Sequence, residues 1–468
     1  MIVSIEGIPQ DRQFDICIAG SGPAGMSLAL ALAERGKDVL LLEGGGTEFS
    51  DASQDLYIGE NTGDPYFELD ATRLRFMGGS SNHWGGWCRP LDSIDFAYKD
   101  YCPEAYWPID RQDLDPYLAR AKDILDLDGD FDDDLLDPAI RRLTFLFSDP
   151  VTRFAEKYQS DVRESPRIVL ALNTSVVGVE IDGTRVSGFR VRNFEGQETT
   201  VSAGDFVLAC GGIENSRLLL HFNAETHGRL VPESQTLGRY WMDHPHFTIG
   251  EAALSFENAN LEFFGLTPER MRDRGVLNCG LRLQSFRNPE GLRELLRDLA
   301  CTAPTLGEWA YRQAGRSLSC GGLLRAAWEQ EPNSDSHIAL STRERDAFGI
   351  PQTVLHWRKT ARDIETVRVA ALEFGSFMAR QNAGRVRLAQ WILEDGPWPE
   401  DDELGGNHHM GGTRMSASAE EGVVTPDLRL WGMDNMYVAG SSVFPSGGHA
   451  NPTLTIIQLS LRLADHLA

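Results

Sequence analysis

The sequence predicts an α/β protein whose chain opens with a nucleotide-binding unit and continues into a second α+β domain built on an antiparallel sheet. An apolar run over residues 14–19, typical of a buried parallel strand, leads directly into Gly20-Ser21-Gly22-Pro23-Ala24-Gly25. A helical stretch over 24–35 and a second apolar strand over 38–42 follow, and that strand ends at Glu43. Strand, glycine loop, helix, strand and acid in this order predict a Rossmann-like dinucleotide site.

Each glycine of the loop has a predicted role. Gly20 allows the tight turn, Gly22 lets the backbone approach a phosphate, and Gly25 lets the helix pack close to the strand. The helix that begins at Pro23-Ala24 directs its N-terminal N–H groups toward the pyrophosphate. Glu43 can accept hydrogen bonds from ribose hydroxyls and would repel a 2′-phosphate, which favours an adenosine diphosphate moiety over that of NADP.

Composition narrows the class of protein further. With 468 residues, 41% hydrophobic content and 46 glycines, the chain is long enough for two or three domains. A net charge of −25 argues against nucleic acid or an anionic membrane as partner, and disfavours electrostatic steering of anionic substrates.

The cysteines and the apolar runs bear on compartment and metal binding. The 7 cysteines form no CxxC pair and no zinc spacing, so they indicate free thiols in a reducing compartment and no metal site. No apolar run reaches the ~18 residues of a membrane span, and no signal peptide pattern opens the chain. These features predict a cytoplasmic protein without a membrane span, and they leave its oligomeric state open.

The domains are predicted to be discontinuous in sequence. Residues 1–60, 162–246 and 405–468 form the nucleotide-binding domain, and residues 61–161, with a helix over 111–127, form a segment that covers the cofactor. Residues 247–404 form the substrate-binding domain, in which strands alternate with helices.

Several elements within these domains are predicted from local patterns. Turn signals at Asp182-Gly183 and Glu195-Gly196 predict a β-meander over 168–201. In the substrate-binding domain, strands are predicted over 247–256 and 337–342 and a helix over 363–380. The stretch 292–328 is predicted to be helical and to pack within that domain, with a lid or docking surface as the alternative.

The C-terminal segment carries the predicted chemistry. A short strand over 436–439 is followed by a loop over 440–450 and an apolar helix that begins near Pro452. The positive end of that helix would stabilise negative charge developing on a redox ring. A histidine with an ordinary pKa of about 6.5 can remove a hydroxyl proton, and an asparagine amide can hold the alcohol oxygen. A flavoprotein that is reduced by NAD(P)H usually needs a second nucleotide-binding fold, and this sequence has only one dinucleotide fingerprint. Together with the base and the amide donor, this indicates a flavin enzyme that oxidises alcohols.

In these segments the chain resembles the glucose–methanol–choline (GMC) oxidoreductase family, and most closely its branch of pyranose 2-oxidase and bacterial sugar dehydrogenases. The likeness covers essentially the whole chain, and its motifs lie at 20–25, 78–86, 208–214, 243–245, 331–336, 408–413 and 448–453. The resemblance implies bound FAD and oxidation of an alcohol group of a sugar, glycoside or polyol, with hydride passing to flavin N5. The electron acceptor would be oxygen, a quinone or a redox protein. Two other functions stay open, namely a lyase with a structural flavin and a flavoprotein subunit of an electron-transfer complex.

The resemblance also selects catalytic residues. In that family the catalytic histidine precedes a Gly-Thr pair by two intervening residues, which selects His409 as the general base. Its partner is Asn451. His449 would line the substrate pocket or compete for the role of base, whereas His408 would only shape the turn.

The remaining residues implied by the resemblance would surround the cofactor. Those added to the N-terminal loop and Glu43 are Gly78, Gly79, Ser80, Asn82, His83, Trp84, Val176, Cys210, Gly211, Gly440, Ser441, Pro452 and Thr453. In pyranose 2-oxidase the histidine of the matching segment is bonded covalently to the flavin. Because Asn82 stands here in place of the threonine that precedes that histidine, the resemblance leaves a covalent bond to His83 open.

Overall fold

The computed structural model describes residues 1–254, 262–285, 309, 313, 322–394, 398–399 and 403–468. Its strands are β1 Ile2–Val3, β2 Phe14–Ala19, β3 Val39–Leu42, β4 Gly59–Gly63, β5 Asp134–Leu135, β6 Ile140–Leu143, β7 Ile168–Ala171, β8 Ser175–Asp182, β9 Arg185–Arg192, β10 Glu198–Val201, β11 Ala203–Leu208, β12 His246–Leu254, β13 Glu262–Leu266, β14 Cys279–Ser285, β15 Gly322–Trp328, β16 His337–Arg345, β17 Pro351–Trp357, β18 Gly384–Leu388 and β19 Met436–Val438.

The α-helices of the described residues are α1 Pro23–Glu34, α2 Asp51–Gln54, α3 Ser93–Phe96, α4 Leu118–Leu125, α5 Phe154–Glu164, α6 Glu214–Glu225, α7 Pro268–Arg274, α8 Ala361–Arg380, α9 Gln390–Leu393 and α10 Thr453–His466. None of the helices in these described ranges is long and apolar enough to cross a membrane.

A parallel sheet forms the centre of the nucleotide-binding half. Its order is β1-β7-β3-β2-β11-β19, and every neighbouring pair is parallel. Strands β3 and β7 are buried along their whole length, as expected for a sheet with both faces covered. The carboxyl ends of β2, β3, β11 and β19 meet at one edge, where open α/β sheets bind their ligands.

The predicted βαβ unit is present at the start of this sheet. Helix α1 connects β2 to β3, and the predicted strand and helix bounds differ from the observed ones by at most one residue. A side chain at Gly25 would overlap the carbonyl oxygen of Gly20, so only glycine lets α1 approach the strand end this closely.

The second domain is built on a seven-stranded sheet with the order β18-β12-β15-β14-β13-β6-β5. Its described pairs are antiparallel, as predicted. One face alternates buried apolar residues against α8, whose Val367, Ala370 and Phe374 are fully buried. Strands β5 and β6 come from the segment 61–161, so that segment contributes to this sheet as well as covering the cofactor cavity.

Two small sheets complete the fold. Strands β10-β9-β8 form an antiparallel meander with the two predicted turns, whereas Ile168–Ala171 lies in the parallel sheet. The prediction that the meander begins at residue 168 was wrong, because that buried apolar segment satisfies its backbone against β3. Strand β4 pairs in parallel with β17, which pairs with β16.

Two predicted helices differ from the structure. Within 111–127 the α-helix is only α4, and 3-10 turns precede it at Arg111–Asp113 and Asp115–Tyr117, where Pro116 interrupts the pattern. In the stretch 292–328, residues 322–328 form strand β15, whose residues alternate between buried and half-buried positions, with Arg325 at one of the half-buried positions. Apart from residues 309 and 313, the remainder of that stretch lies outside the described residues.

Candidate active site

The glycine loop leaves open space for a phosphate group. Gly22 is the N-cap of α1 and has no side chain with which to cap it. A Cβ built at Gly22 would meet no protein atom within 4 Å, although the residue lines the cavity. Helix N-terminal N–H groups facing an open volume suit a diphosphate.

Glu43 fixes the loop from the neighbouring strand end. Its Oε2 accepts hydrogen bonds from the backbone N–H of Ser21 at 3.1 Å and from the Ser21 hydroxyl at 2.7 Å. Its Oε1 accepts from the backbone N–H of Gly45 at 2.9 Å. A carboxylate accepts about four hydrogen bonds, so Glu43 keeps capacity for ribose hydroxyls.

One cavity of about 380 Å³ joins these groups to the C-terminal segment. Of the residues predicted for the site, those that line it are Gly20, Gly22, Pro23, Ala24, Glu43, Gly79, Ser80, His83, Trp84, Val176, Cys210, Gly211, His409, Gly440, Ser441, Asn451, Pro452 and Thr453. The glycine loop, the acid at the end of β3 and the catalytic candidates therefore line one cavity. The open space at Gly22 and the free acceptor capacity of Glu43 fit the FAD that the resemblance implies.

The structure places four predicted site residues away from the cavity wall. Gly25 packs against the loop, and the Gly78 N–H donates to the Ser21 hydroxyl at 3.3 Å. The Asn82 amide donates to the Met77 carbonyl at 2.9 Å. His449 is buried, with Nε2 3.7 Å from Asp92 Oδ2. Gly25, Gly78 and Asn82 instead contact loops whose other residues line the cavity.

The two adjacent histidines have different partners. An antiparallel bridge between Met242 and Met410 brings residues 242–244 beside residues 408–410. Because neighbouring residues of an extended chain point to opposite sides, the two rings diverge. Asn451 Nδ2 lies 3.1 Å from Nε2 of His408. The structure thus brings Asn451 to His408, and not to His409 as the family resemblance implied.

His408 is held by a second histidine. Its Nδ1 lies 2.8 Å from Nδ1 of His244, and its backbone N–H donates to Asp243 Oδ1 at 2.8 Å. The same carboxylate oxygen accepts from the backbone N–H of His244 at 2.7 Å. Asp243 therefore fixes the two segments that carry these rings.

His409 is tied to a hydroxyl instead. Its Nε2 lies 3.0 Å from the Tyr66 hydroxyl oxygen, and Tyr66 donates to Asp243 Oδ2 at 2.6 Å. A tyrosine has one O–H, so its oxygen accepts from an Nε2–H of His409. The ring of His409 also packs beside Trp241, at 5.8 Å between centroids.

Burial keeps these imidazoles neutral. It lowers the pKa of His409 to about 3 and that of His244 to about 3. The pKa of His408 is also lowered well below 6.5 by burial, and then by the neighbouring imidazoles. Burial raises the pKa of Asp243 to about 6. At neutral pH the histidines are therefore unprotonated and able to accept a proton.

Sequence reasoning missed Tyr66, Asp243 and Arg73. Arg73 is buried, lines the cavity, stacks over Tyr57 at 4.1 Å, and leaves Nε and Nη1 without a hydrogen-bond partner. Its nearest carboxylate is Glu214, at 3.8 Å. Tyr66 and Arg73 lie in the irregular segment after β4, where no periodic pattern marks them. Asp243 was visible only as part of the motif at 243–245.

Comparisons with known proteins agree with this architecture. Residues 15–317 match the family model described as FAD dependent oxidoreductase. The chain belongs to this family. Residues 332–460 match the model described as GMC oxidoreductase, so this FAD-dependent oxidoreductase carries a GMC C-terminal domain. FAD is its cofactor, and the predicted family is confirmed.

Individual relatives extend the match over the whole chain. The enzyme is 24% identical to a C-glycoside 3-oxidase of Microbacterium trichothecenolyticum, over 97% of this chain and 96% of the relative. It is 22% identical to a pyranose 2-oxidase of Tricholoma matsutake, over 84% and 72% of the two chains. A pyridoxine 4-oxidase structure from Mesorbium loti superposes with a TM-score of 0.61 at 16% identity, covering 97% of this chain and 99% of that one. That structure shares the fold.

Proposed function

We propose that this oxidoreductase removes hydride and a proton from an alcohol group of a sugar, glycoside or polyol. The observation that carries the proposal is the His408–Asn451 contact of 3.1 Å in the cavity lined by the dinucleotide loop. Two relatives named C-glycoside 3-oxidase and pyranose 2-oxidase support a sugar or glycoside as the substrate class. FAD, when bound, supplies the hydride acceptor.

Asn451 and His408 are suited to hold and deprotonate one hydroxyl. An alcohol oxygen beside the pair, within hydrogen-bond distance of both nitrogens, would accept an N–H of Asn451 while its proton passes to Nε2 of His408. For Nε2 to be free, Nδ1 of His408 must carry the hydrogen and donate to Nδ1 of His244. His244 would thereby fix the tautomer of the base.

His409 is the second candidate for the base, and the one that the sequence favours. Against it stands the contact of its Nε2 with Tyr66, because that nitrogen then carries a hydrogen and has no lone pair to offer. We therefore assign the proton to His408 and propose that His409, fixed by Tyr66 and Asp243, shapes the cavity wall beside it.

Anaerobic mixing of the holoenzyme with sugars, glycosides and polyols tests this function. Bleaching of the oxidised flavin absorbance by at least one alcohol is expected, with the corresponding carbonyl compound as product. Substrate turnover without bleaching would instead support a lyase. A chain that no alcohol reduces, but that a protein partner reduces, would support an electron-transfer subunit.

We propose oxygen, a quinone or a redox protein as electron acceptor, to be distinguished by reoxidising the bleached enzyme with each in turn.

The described cysteines Cys17, Cys88, Cys102, Cys210 and Cys279 are free, which supports a reducing compartment such as the cytoplasm.

A further inference from the structure

Two arginines stand side by side on one face of the seven-stranded sheet. Arg282 on β14 and Arg325 on β15 are register partners, so their side chains leave the same face of the sheet. Both are half-buried, and the Nε of each has no hydrogen-bond partner. Within the described part of the chain, neither forms an ion pair with a carboxylate.

This face of the sheet is turned toward the active site. Gly280 lies two residues before Arg282 on β14, and a Cβ built on it would be 2.7 Å from Nδ1 of His449. His449 precedes Asn451 by two residues. The sheet face that carries the arginines therefore packs against the segment that supplies the proposed catalytic amide.

His246 connects the arginines to the proposed base. It pairs with Ala327, two residues from Arg325 on β15. Its pKa is lowered to about 4 by burial and by Arg282 and Arg325, and His246 in turn lowers the pKa of His408. The imidazole of His246 thus interacts electrostatically with both the arginine pair and His408.

An aromatic surface borders the arginines. Phe263 on β13 is the register partner of Arg282. Its ring lies 5.3 Å from that of Trp87 and 4.4 Å from that of Phe145, between centroids. Two cations beside a wall of rings suit a ligand with an apolar ring face and an anionic substituent.

The arrangement is unfavourable for the fold without an anion. Like charges directly opposite on a sheet are destabilising, and a half-buried guanidinium without a counter-ion has lost part of its hydration. A carboxylate or phosphate would accept N–H bonds from both guanidinium groups. The net charge of −25 repels an approaching anion, but at physiological salt charges more than about 8 Å away are largely screened. The two neighbouring guanidinium groups therefore dominate the interaction with a bound anion.

We propose that Arg282 and Arg325 form a subsite for a carboxylate or phosphate group of the alcohol substrate. The assignment rests on the proposed alcohol oxidation, since it places the anionic group on the sheet face that neighbours the reacting hydroxyl. It names anionic sugars, such as uronic acids or sugar phosphates, as the substrate class.

Binding of inorganic phosphate and of acetate to the holoenzyme tests the subsite apart from catalysis. Bound FAD fills the diphosphate loop, so calorimetry at constant low salt reports other anion sites. We expect the double variant R282Q/R325Q to bind phosphate about 10-fold or more weakly than the unmodified enzyme. The control R272Q/R274Q removes the same number of charges from exposed positions on α7 and should leave binding unchanged. Absence of phosphate and acetate binding in the unmodified enzyme, or equal binding in the double variant, would overturn the subsite.

Flavin bleaching by glucose, glucuronate and glucose 6-phosphate provides the second measurement. The unmodified enzyme should prefer an anionic congener over glucose by about 10-fold or more in kcat/KM, and R282Q/R325Q should lose that preference. A preference for glucose in the unmodified enzyme would overturn the proposal. If no alcohol bleaches the flavin, alcohol oxidation fails as the function, while the phosphate titration still decides whether the arginines bind an anion.

Discussion

Nε2 of His408 lies 3.1 Å from the amide nitrogen of Asn451, on the wall of the cavity that also holds the dinucleotide loop. The two residues are far apart in sequence, and under the proposed function their contact would join a donor for an alcohol oxygen to an acceptor for its proton.

His408→Ala should reduce the rate of flavin bleaching by substrate by about 10²-fold or more, because the proton acceptor is lost. FAD content should be unchanged, since Nε2 faces Asn451. Stopped-flow absorbance under anaerobic conditions measures the rate. His409→Ala is the matched variant and should reduce the rate of flavin bleaching by a smaller factor. A severe loss in His409→Ala with near-normal bleaching in His408→Ala would reverse the assignment of the base.

Tyr66→Phe should lower the free energy of unfolding by about 1–3 kcal/mol, because buried Asp243 Oδ2 and His409 Nε2 each lose a partner. Urea denaturation monitored by tryptophan fluorescence measures the change. Tyr98→Phe removes a hydroxyl from a ring that is 63% exposed and serves as the control. Equal stability of both variants would show that the hydroxyl makes no net contribution.

The stability of the enzyme should fall below about pH 6.5, in part because of His409. Its pKa is about 3 when folded, against an ordinary value of 6.5, so between these values the unfolded chain binds a proton that the native state does not. In this range, His409 alone lowers the free energy of unfolding by about 1.4 kcal/mol for each pH unit that the pH falls.

His409→Gln should therefore lose stability less steeply than the unmodified enzyme as pH falls from 6.5 toward 4. Urea denaturation at a series of pH values measures this slope. His466→Gln, at an exposed position of α10, should keep the original slope. An unchanged slope in His409→Gln would mean that His409 is protonated in the native state.

Gly22→Ala and Gly25→Ala should separate cofactor binding from folding. A methyl group at Gly22 meets no protein atom within 4 Å, so the apoprotein should keep its stability while FAD affinity falls. A methyl group at Gly25 overlaps the Gly20 carbonyl, so folding itself should be impaired. Flavin fluorescence titration and thermal unfolding measure the two effects. Unchanged FAD affinity in Gly22→Ala would contradict the role of this loop.

FAD should leave the protein on denaturation. His83 lines the cavity, but Asn82 precedes it where the covalently linked enzyme of the family has threonine. Intact-mass measurement of the denatured holoenzyme should give the bare polypeptide. A mass increased by that of FAD, and lost in His83→Ala, would demonstrate the covalent bond instead.

The sequence by itself determined the βαβ unit, the nature of its ligand and the second antiparallel sheet. Residues 14–43 are consecutive, and strand, turn and helix there depend on neighbouring residues and on glycines with a local role. Alternating apolar residues likewise define strands before any partner is known.

Only the tertiary structure decided which side chains meet. His408 and His409 are neighbours in the motif. The family resemblance selected His409 by its distance from Gly412-Thr413, and such a count of residues does not show which way a side chain points. The Met242–Met410 bridge turns one ring to Asn451 and the other to Tyr66. Arg282 and Arg325 become a pair only through strand register. Such contacts join segments distant in sequence, and the packing of the whole chain sets them.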